Sequence, residues 1–580
     1  MEALNVASGG DFSVEWIQNY DPLGSAVAST LLAAAPVTLL LGLLVAGVAA
    51  HRAALAGLAA ALSVAIWGYG MPGDAALAAA GYGAGFGLLP IGWIVVAAVF
   101  MFQLTVVSGQ FEIIKRSVAS ISPDQRMQAL LIAFSFGTFI EGAAGFGTPV
   151  AISAALLIGL GFSPLYAAAL ALLANTSPVA FGALGTPIVT LAKFSGLDEF
   201  ALCQMAGRQL PLFSLIVPAW LVAVMSGRSG VRECWPAIVV CGGSFAMLQF
   251  ITANYFGPTL VDVVGGLGSL AALTLFLRFW QPARIWRFDN GRDSADKRAA
   301  EAALPALTRW QIIRAWMPWA ILSVMVFLWG WPSFKATLDG GTAERPNALA
   351  NISKLSWDVP RVDRRVYRAA PVAKVPEGLD RAADPERVTY DFNWLSTTGT
   401  GIFLGAILAA GWLRISPRLF VHQFALTLWR MRTALLTIAC MLALAMVTKY
   451  SGQDATLGLA FTRTGWLYPF FAPLLGWLGV ALTGSDTSSN ALFGSLQQIT
   501  AEQLDLPQVL IVASNSTGGV MGKMIDAQSI VVAAVATEQN GGEGAILRFV
   551  LPHSVALACL VGLLTLAQAY GLTWMIPAGP

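Results

Sequence analysis

Charge is what this sequence has least of. Asp, Glu, Lys and Arg make up 11% of its 580 residues, against 56% hydrophobic residues. That is too little charge to cover the surface of a soluble protein of this size. Histidine is scarcer still: His51, His422 and His553 lie far apart, and none stands beside an evident nucleophile or carboxylate. Enzymatic chemistry is left without a catalytic constellation. The five cysteines (Cys203, Cys234, Cys241, Cys440 and Cys559) have no CxxC spacing, so neither a metal site nor a disulfide framework is expected. No GxxxxGK[ST] run occurs, no ATPase subunit is evident and no cofactor is implied. A formal net charge of +2 points to no nucleic acid. Residues 1–20 hold three acidic residues and no basic one, which is unlike a secretory signal.

What the chain does have is long apolar runs. Thr30 to Ala50, Ala53 to Gly73 and Ala75 to Phe111 each carry no charge. A helix crossing the hydrocarbon core needs roughly 20 such residues, whereas a buried soluble strand needs about 4–8. The expected fold is an all-α polytopic membrane protein in a lipid bilayer, with about 12 to 14 transmembrane helices, some discontinuous. The expected spans include 209–227, 234–255 and 258–279. Basic residues set the orientation. Arg52, Lys115, Arg116, Arg126, the loop 281–310, and Arg414, Arg418, Arg430 and Arg432 are assigned to the cytoplasm, and the N-terminus to the outside. Two halves follow, 1–280 and 392–580, joined by a span at 311–331 and a polar external loop at 332–391. The prolines of that loop argue against a compact domain.

Polar clusters interrupt the apolar spans. Non-helical backbone at membrane depth is tolerated only inside the protein or against a cavity. The first cluster, EGAAGFGTPVAI, places Glu141 beside Gly142, Gly145, Gly147 and Pro149. The second, GSDTSSNALFG, sets Asp486 among Gly484, Ser485, Ser488 and Asn490. A carboxylate at the bilayer centre costs at least ~2.5–3.5 kcal/mol, so both acids should face a cavity or a partner. Each cluster is followed by an Asn-led one. NTSPVAFG (Asn175–Gly182) matches NSTGGVMG (Asn515–Gly522), with Asn and two hydroxyls opening both and Gly closing both. The first runs on to Gly185 and Pro187, the second to Lys523 and Asp526. Glycines 142, 145, 147, 182, 185, 484, 518, 519 and 522, with Pro149 and Pro187, are therefore expected at helix breaks. Interrupted segments in corresponding places of two halves point to a transporter site between structural repeats. Close helix packing by small residues is the plainer reading of the glycines, and it is the one taken for GGSF (242–245) and GGLG (265–268).

Broken helices turn free N–H groups and dipole ends towards a cavity, which suits an anion. Asn175, Thr176, Ser177, Asn515, Ser516 and Thr517 can donate to carboxylate or hydroxyl oxygens, and Lys523 adds a positive charge. Arg208 and Lys193 lie at span edges, where snorkelling accounts for them. Desolvation favours the neutral form of a buried carboxyl. Glu141, alone among small apolar neighbours, is thus the better proton-coupling residue, with Asp486 second. Residues alone leave open a sodium-coupled or uncoupled carrier of another organic acid, and a membrane sensor or scaffold.

The same stretches carry a family resemblance. GQFEIIKRSVASISPDQR (Gly109–Arg126), FIEGAAGFGTPVAI (Phe139–Ile152), NTSPVAFGALGTPI (Asn175–Ile188), LGWLGVALTGSDTSSNALFG (Leu475–Gly494) and NSTGGVMGKMI (Asn515–Ile525) closely resemble the L-lactate permeases, almost from end to end. The resemblance implies uptake of L-lactate, with D-lactate and glycolate as further substrates, in symport with protons across a bacterial cytoplasmic membrane. Thr148, Thr186, Lys449 and Asp526–Ala527 depart from the family pattern. Asp526 is expected to pair with Lys523, three positions earlier.

Overall fold

The computed structural model describes residues 15–46, 48–119, 121–144, 148–288, 307–342, 345–349, 352–373, 375, 380–382, 384–537, 539 and 542–577. Gly145 and Gly147, and most of the basic loop, lie outside them. The first half comprises α1 (Ala26–Val45), α2 (Ala50–Ser63), α3 (Gly73–Phe86), α4 (Trp93–Val107) and α5 (Gln110–Ala119). Then α6 (Gln125–Gln128) runs through a π-helical stretch into α7 (Gly137–Ala144), followed by α8 (Thr148–Gly159) and α9 (Pro164–Ala174). It closes with α10 (Gly182–Ser195), α11 (Glu199–Tyr255) and α12 (Val261–Phe276). The helices α13 (Arg309–Gly330) and α14 (Pro332–Leu338) lead to the second half. That half holds α15 (Thr398–Leu413), α16 (Pro417–Ser451), α17 (Gln453–Phe461) and α18 (Tyr468–Thr483). It ends with α19 (Asp486–Gln503), α20 (Gln508–Gly522), α21 (Ala527–Ala536) and α22 (Glu543–Tyr570).

Among the described residues six helices are long and apolar enough to cross a membrane, and the pair around Pro164–Ser195, bent by 60°, makes a seventh. The protein is an all-α, multi-pass membrane protein. The expected count of about 12 to 14 crossings is higher because it includes interrupted helices too short to qualify singly. One long helix also hides two spans. At 57 residues, α11 would be about 85 Å long if straight, nearly three bilayer cores. Gly227 breaks it with φ 68° and ψ −166°, and the two arms fold back on each other. Cys203 Sγ meets Ala253 O at 3.2 Å and Ser214 Oγ donates to Gln249 at 2.8 Å. Gly242 lies against Ser214 O, so a Cβ there would sit 3.0 Å from that oxygen. This matches the separate spans expected at 209–227 and 234–255.

The insertion at 332–391 differs from expectation. Leu355–Asp358 pairs antiparallel with Thr389–Phe392, and Val366–Tyr367 pairs in parallel with Trp16–Ile17. Val359, Val362, Val366 and Val388 are buried against residues of α2, α3 and α16. Four valines supply enough apolar surface to anchor it on the helices. The parallel pairing joins the N-terminal strand to the insertion. At another group of loops the buried Arg126 forms 2.8 Å ion pairs with Asp124 and Glu233 and donates to Arg284 O at 2.9 Å.

Candidate functional site

Among the described residues three helix interruptions build the site. One belongs to the first half. The helix α9 ends at Asn175, because Pro178 disfavours helical backbone at Ser177 and lacks an N–H to continue the ladder. A single 3-10 turn, Val179–Phe181, follows. Ala183, Leu184 and Gly185 then take left-handed conformations, with φ of 44°, 61° and 79°. Two consecutive non-glycine residues at positive φ are strained, and such strain concentrates at functional sites. Gly185 has no alternative, since a Cβ would lie 2.8 Å from Pro258 atoms. The break expected at Gly145 and Gly147, after Glu141, lies outside the described residues.

In the second half α18 ends at Gly484, whose φ of 73° forms a left-handed cap. Ser485 is extended, and its Oγ accepts from Ser488 N at 3.2 Å, capping α19. Asp486 thus occupies the first turn of α19, where the helix dipole favours an anion. The third interruption is the 3-10 turn Lys523–Ile525 with extended Asp526. Asp526 caps α21 by accepting from Ser529 N at 2.7 Å. Lys523 Nζ donates to Gly484 O at 2.6 Å and pairs with Asp526 at 3.2 Å, so it ties the two second-half breaks together. The expected Lys523–Asp526 pair is present, but across a broken turn and not along one helical face.

These interruptions converge. Glu141, Gly182, Thr186, Asp486, Thr487 and Lys523 line one cavity of about 30 Å³. Glu141, Asp486 and Lys523 are 3%, 3% and 4% exposed, so three ionisable groups from both halves are withdrawn from bulk water around one small space. Each acid lies against a glycine of a neighbouring helix. A Cβ on Gly182 would come within 2.6 Å of Glu141 Oε1, and one on Gly519 would collide with Asp486 Oδ1. Gly518 and Gly522 press likewise on the α18 backbone at Pro473 O and Trp477 O. Here the expected breaks at Gly518 and Gly519 are corrected. Both lie inside unbroken α20, and their lack of a side chain serves close packing. Gly142 also sits within its helix, against Asp262.

The two Asn-led motifs prove unlike in use. Asn515 is fully buried and fully engaged: its Nδ2 donates to Asn490 Oδ1 at 2.9 Å, and its Oδ1 accepts from Gln497 at 3.2 Å. Tyr468 OH donates to Gln497 Oε1 at 2.7 Å, and Asn490 Nδ2 donates to Pro187 O at 3.1 Å and to Asp486 Oδ2 at 3.3 Å. Ser516 Oγ donates to the same Asp486 oxygen. Thr517 Oγ1 donates to Gln209 Oε1 at 2.7 Å, and Thr176 Oγ1 to Leu173 O at 2.8 Å. Asn515, Ser516, Thr517 and Thr176 are therefore scaffold in this arrangement, contrary to their expected part as substrate donors. Asn175 is the opposite. Its amide lies beside Glu141, and both its polar atoms, with Ser177 Oγ, Glu141 Oε2 and Asp486 Oδ1, are buried without a hydrogen-bond partner. Unpartnered buried polar atoms are rare; of these, the Glu141 and Asp486 oxygens belong to residues that line the cavity, and Asn175 and Ser177 stand at the α9 break. Of the edge cations, Arg208 is bound to Asn254 Oδ1 and Met575 O, both at 3.0 Å. Lys193 stands 5.1 Å from the Tyr82 ring centre.

Known proteins resemble this chain over nearly its whole length. A family described as L-lactate permease matches residues 29–572. An L-lactate permease of Salmonella typhimurium is 48% identical over 97% of this chain and 100% of its own length. The chain belongs to the L-lactate permease family. The glycolate permease GlcA of Escherichia coli is 47% identical, and an L-lactate permease of Bacillus subtilis 44%, each over 97% of this chain and the whole of the relative. The protein is a transporter and not an enzyme.

Sequence reasoning did not single out several buried polar residues of this permease. Asp262, in the first turn of α12, is 1% exposed, and neither of its carboxyl oxygens has a partner. A lone acid inside an apolar span was a usable signal, but the neighbouring Gly265 and Gly266 drew the segment into a packing role. They do have that role: Gly265 faces the Phe245 ring and Gly266 the Phe139 backbone. Gln209, Gln249 and Gln497 gave no signal, because a buried glutamine announces itself only through the partners that folding supplies. Gln249 Nε2 donates to Ser177 O at 3.2 Å, holding the Asn175 break from behind.

Proposed function

We propose that this permease takes up L-lactate, and also D-lactate and glycolate, in symport with protons. The single observation that supports the reading most is the meeting of Glu141, Asp486 and Lys523 at one small cavity between helices of both halves. The substrate carboxylate is attracted by Lys523, the unpartnered Asn175 amide and the Ser177 hydroxyl. Glu141 carries the proton, so each monoanion crosses with one compensating charge and entry is electroneutral. Lys523 repels a second cation, which favours a proton over sodium in this place. A cavity of about 30 Å³ has room for a water-sized molecule, so a monocarboxylate enters only when one half moves against the other to widen it.

The test is purified permease in lipid vesicles with an imposed pH gradient, acid outside. Lactate should accumulate, and Glu141→Gln should abolish accumulation while leaving exchange of lactate across the membrane. Undiminished uphill uptake by that variant would remove Glu141 from the mechanism.

A further inference from the structure

We propose that Asp262 is a second proton-carrying carboxyl of the permease, exchanging the transported proton with Glu141. The proposal rests on the symport reading above. Asp262 opens α12 in the run VDVVGGLG, whose other residues are all apolar or glycine. The helices α7 and α12 touch backbone to backbone around it. A Cβ on Gly142, the residue after Glu141, would lie 2.6 Å from Asp262 Cβ, and one on Gly266 would lie 2.5 Å from Phe139 N. The carboxyl is buried and neither oxygen meets a donor. Among the described groups on the elements packed around it, Glu141 is the charge that reaches Asp262, and no lysine or arginine does.

An ionised carboxylate with neither cation nor donor is strongly disfavoured, so Asp262 holds a proton in this arrangement. Glu141 is placed differently, on the cavity wall with the Lys523 cation. Two neighbouring carboxyls resist ionising together. A proton leaving Asp262 therefore goes to the Glu141 carboxylate, directly or through a water, as one O–H bond breaks and another forms. Glu141 lines the cavity and Asp262 does not. Asp262 is thus the member that keeps the proton while Glu141 faces the substrate.

The experiment compares wild-type permease, Asp262→Asn and Asp262→Glu in vesicles, measuring lactate exchange at equal concentrations and pH-gradient-driven accumulation across a pH series. Asp262→Asn should retain exchange but lose accumulation above the external concentration, and Asp262→Glu should restore accumulation with a displaced pH profile. Wild-type accumulation and pH profile in Asp262→Asn would overturn the proposal. So would failure of Asp262→Glu to restore coupling while exchange is intact, which marks a purely structural role. If the wild-type protein exchanges lactate but ignores the pH gradient, the symport reading itself fails. Where Asp262→Asn yields no folded carrier, wild-type protein is treated with a hydrophobic carbodiimide, which modifies protonated buried carboxyls, and the label is mapped by mass spectrometry. Label on Asp262 that declines as pH rises supports the proposal. Label on Glu141 with none on Asp262 overturns it.

Discussion

Asn175 and Asn515 head matching motifs, yet replacing each by alanine should do opposite things. Asn515 bonds to Asn490 Oδ1 and Gln497 Nε2 in a chain that ends on Asp486. In Asn515→Ala the buried Asn490 Oδ1 loses its donor, whereas Gln497 keeps Ala472 O at 2.8 Å. One orphaned acceptor costs about 1–3 kcal/mol, and the space left by the amide adds to it, for a total of roughly 2–4 kcal/mol. Asn175→Ala removes two polar atoms that have no partner to lose. Relief of desolvation offsets the small cavity, and stability should stay within about 1 kcal/mol of wild type. Its effect falls on binding. A hydrogen bond to an anionic substrate is worth about 1.5–3 kcal/mol, or about ten- to 150-fold in Kd. Thermal unfolding in detergent separates the stabilities, and tryptophan fluorescence titrated with lactate gives the affinities. If Asn515→Ala is as stable as wild type, or Asn175→Ala unfolds early with its lactate Kd unchanged, the division into scaffold and ligand is wrong.

Other expectations follow from the same geometry. Gly182→Ala would place a methyl within 2.6 Å of Glu141 Oε1; overpacking of about 1–3 kcal/mol and loss of lactate uptake should show together in unfolding and vesicle assays. Lys523→Met should abolish uptake, because Glu141 and Asp486 then share a buried cavity without a cation, and uptake at the wild-type rate would exclude Lys523 from the site. Arg126→Ala leaves Asp124, whose side chain is 0% exposed, without its cation and should destabilise by about 3–5 kcal/mol. Glu233→Ala removes a partner that is 42% exposed and should cost under about 1 kcal/mol in the same unfolding measurement.

Membrane spans were legible because apolar length is a local property, and so were the acids that interrupt them. Pro178, which ends α9, was not among the residues expected at that break, although proline affects its own backbone wherever it lies. Glycine was ambiguous. In NSTGGVMG it lets α20 press on α18, and the chain breaks only at Lys523–Asp526, so two motifs alike in letters differ in backbone. Asp262 was visible as a charge in an apolar run, but its neighbour Glu141 is more than a hundred residues away in the chain, and only the α7–α12 contact joins them. The buried glutamines were beyond reach for the same reason: their roles are set by partners from distant helices. The insertion at 332–391 was misjudged because four scattered valines make a surface only after folding.

The most direct test of the central claim is proton movement driven by the substrate itself. Wild-type permease is sealed in vesicles holding a pH-sensitive dye, with equal pH on both sides and the membrane potential clamped by potassium and valinomycin, and L-lactate is added outside. The vesicle interior should acidify in step with lactate entry, one proton for each lactate, and recover when lactate is withdrawn. Lactate entry with no change in internal pH would contradict the account.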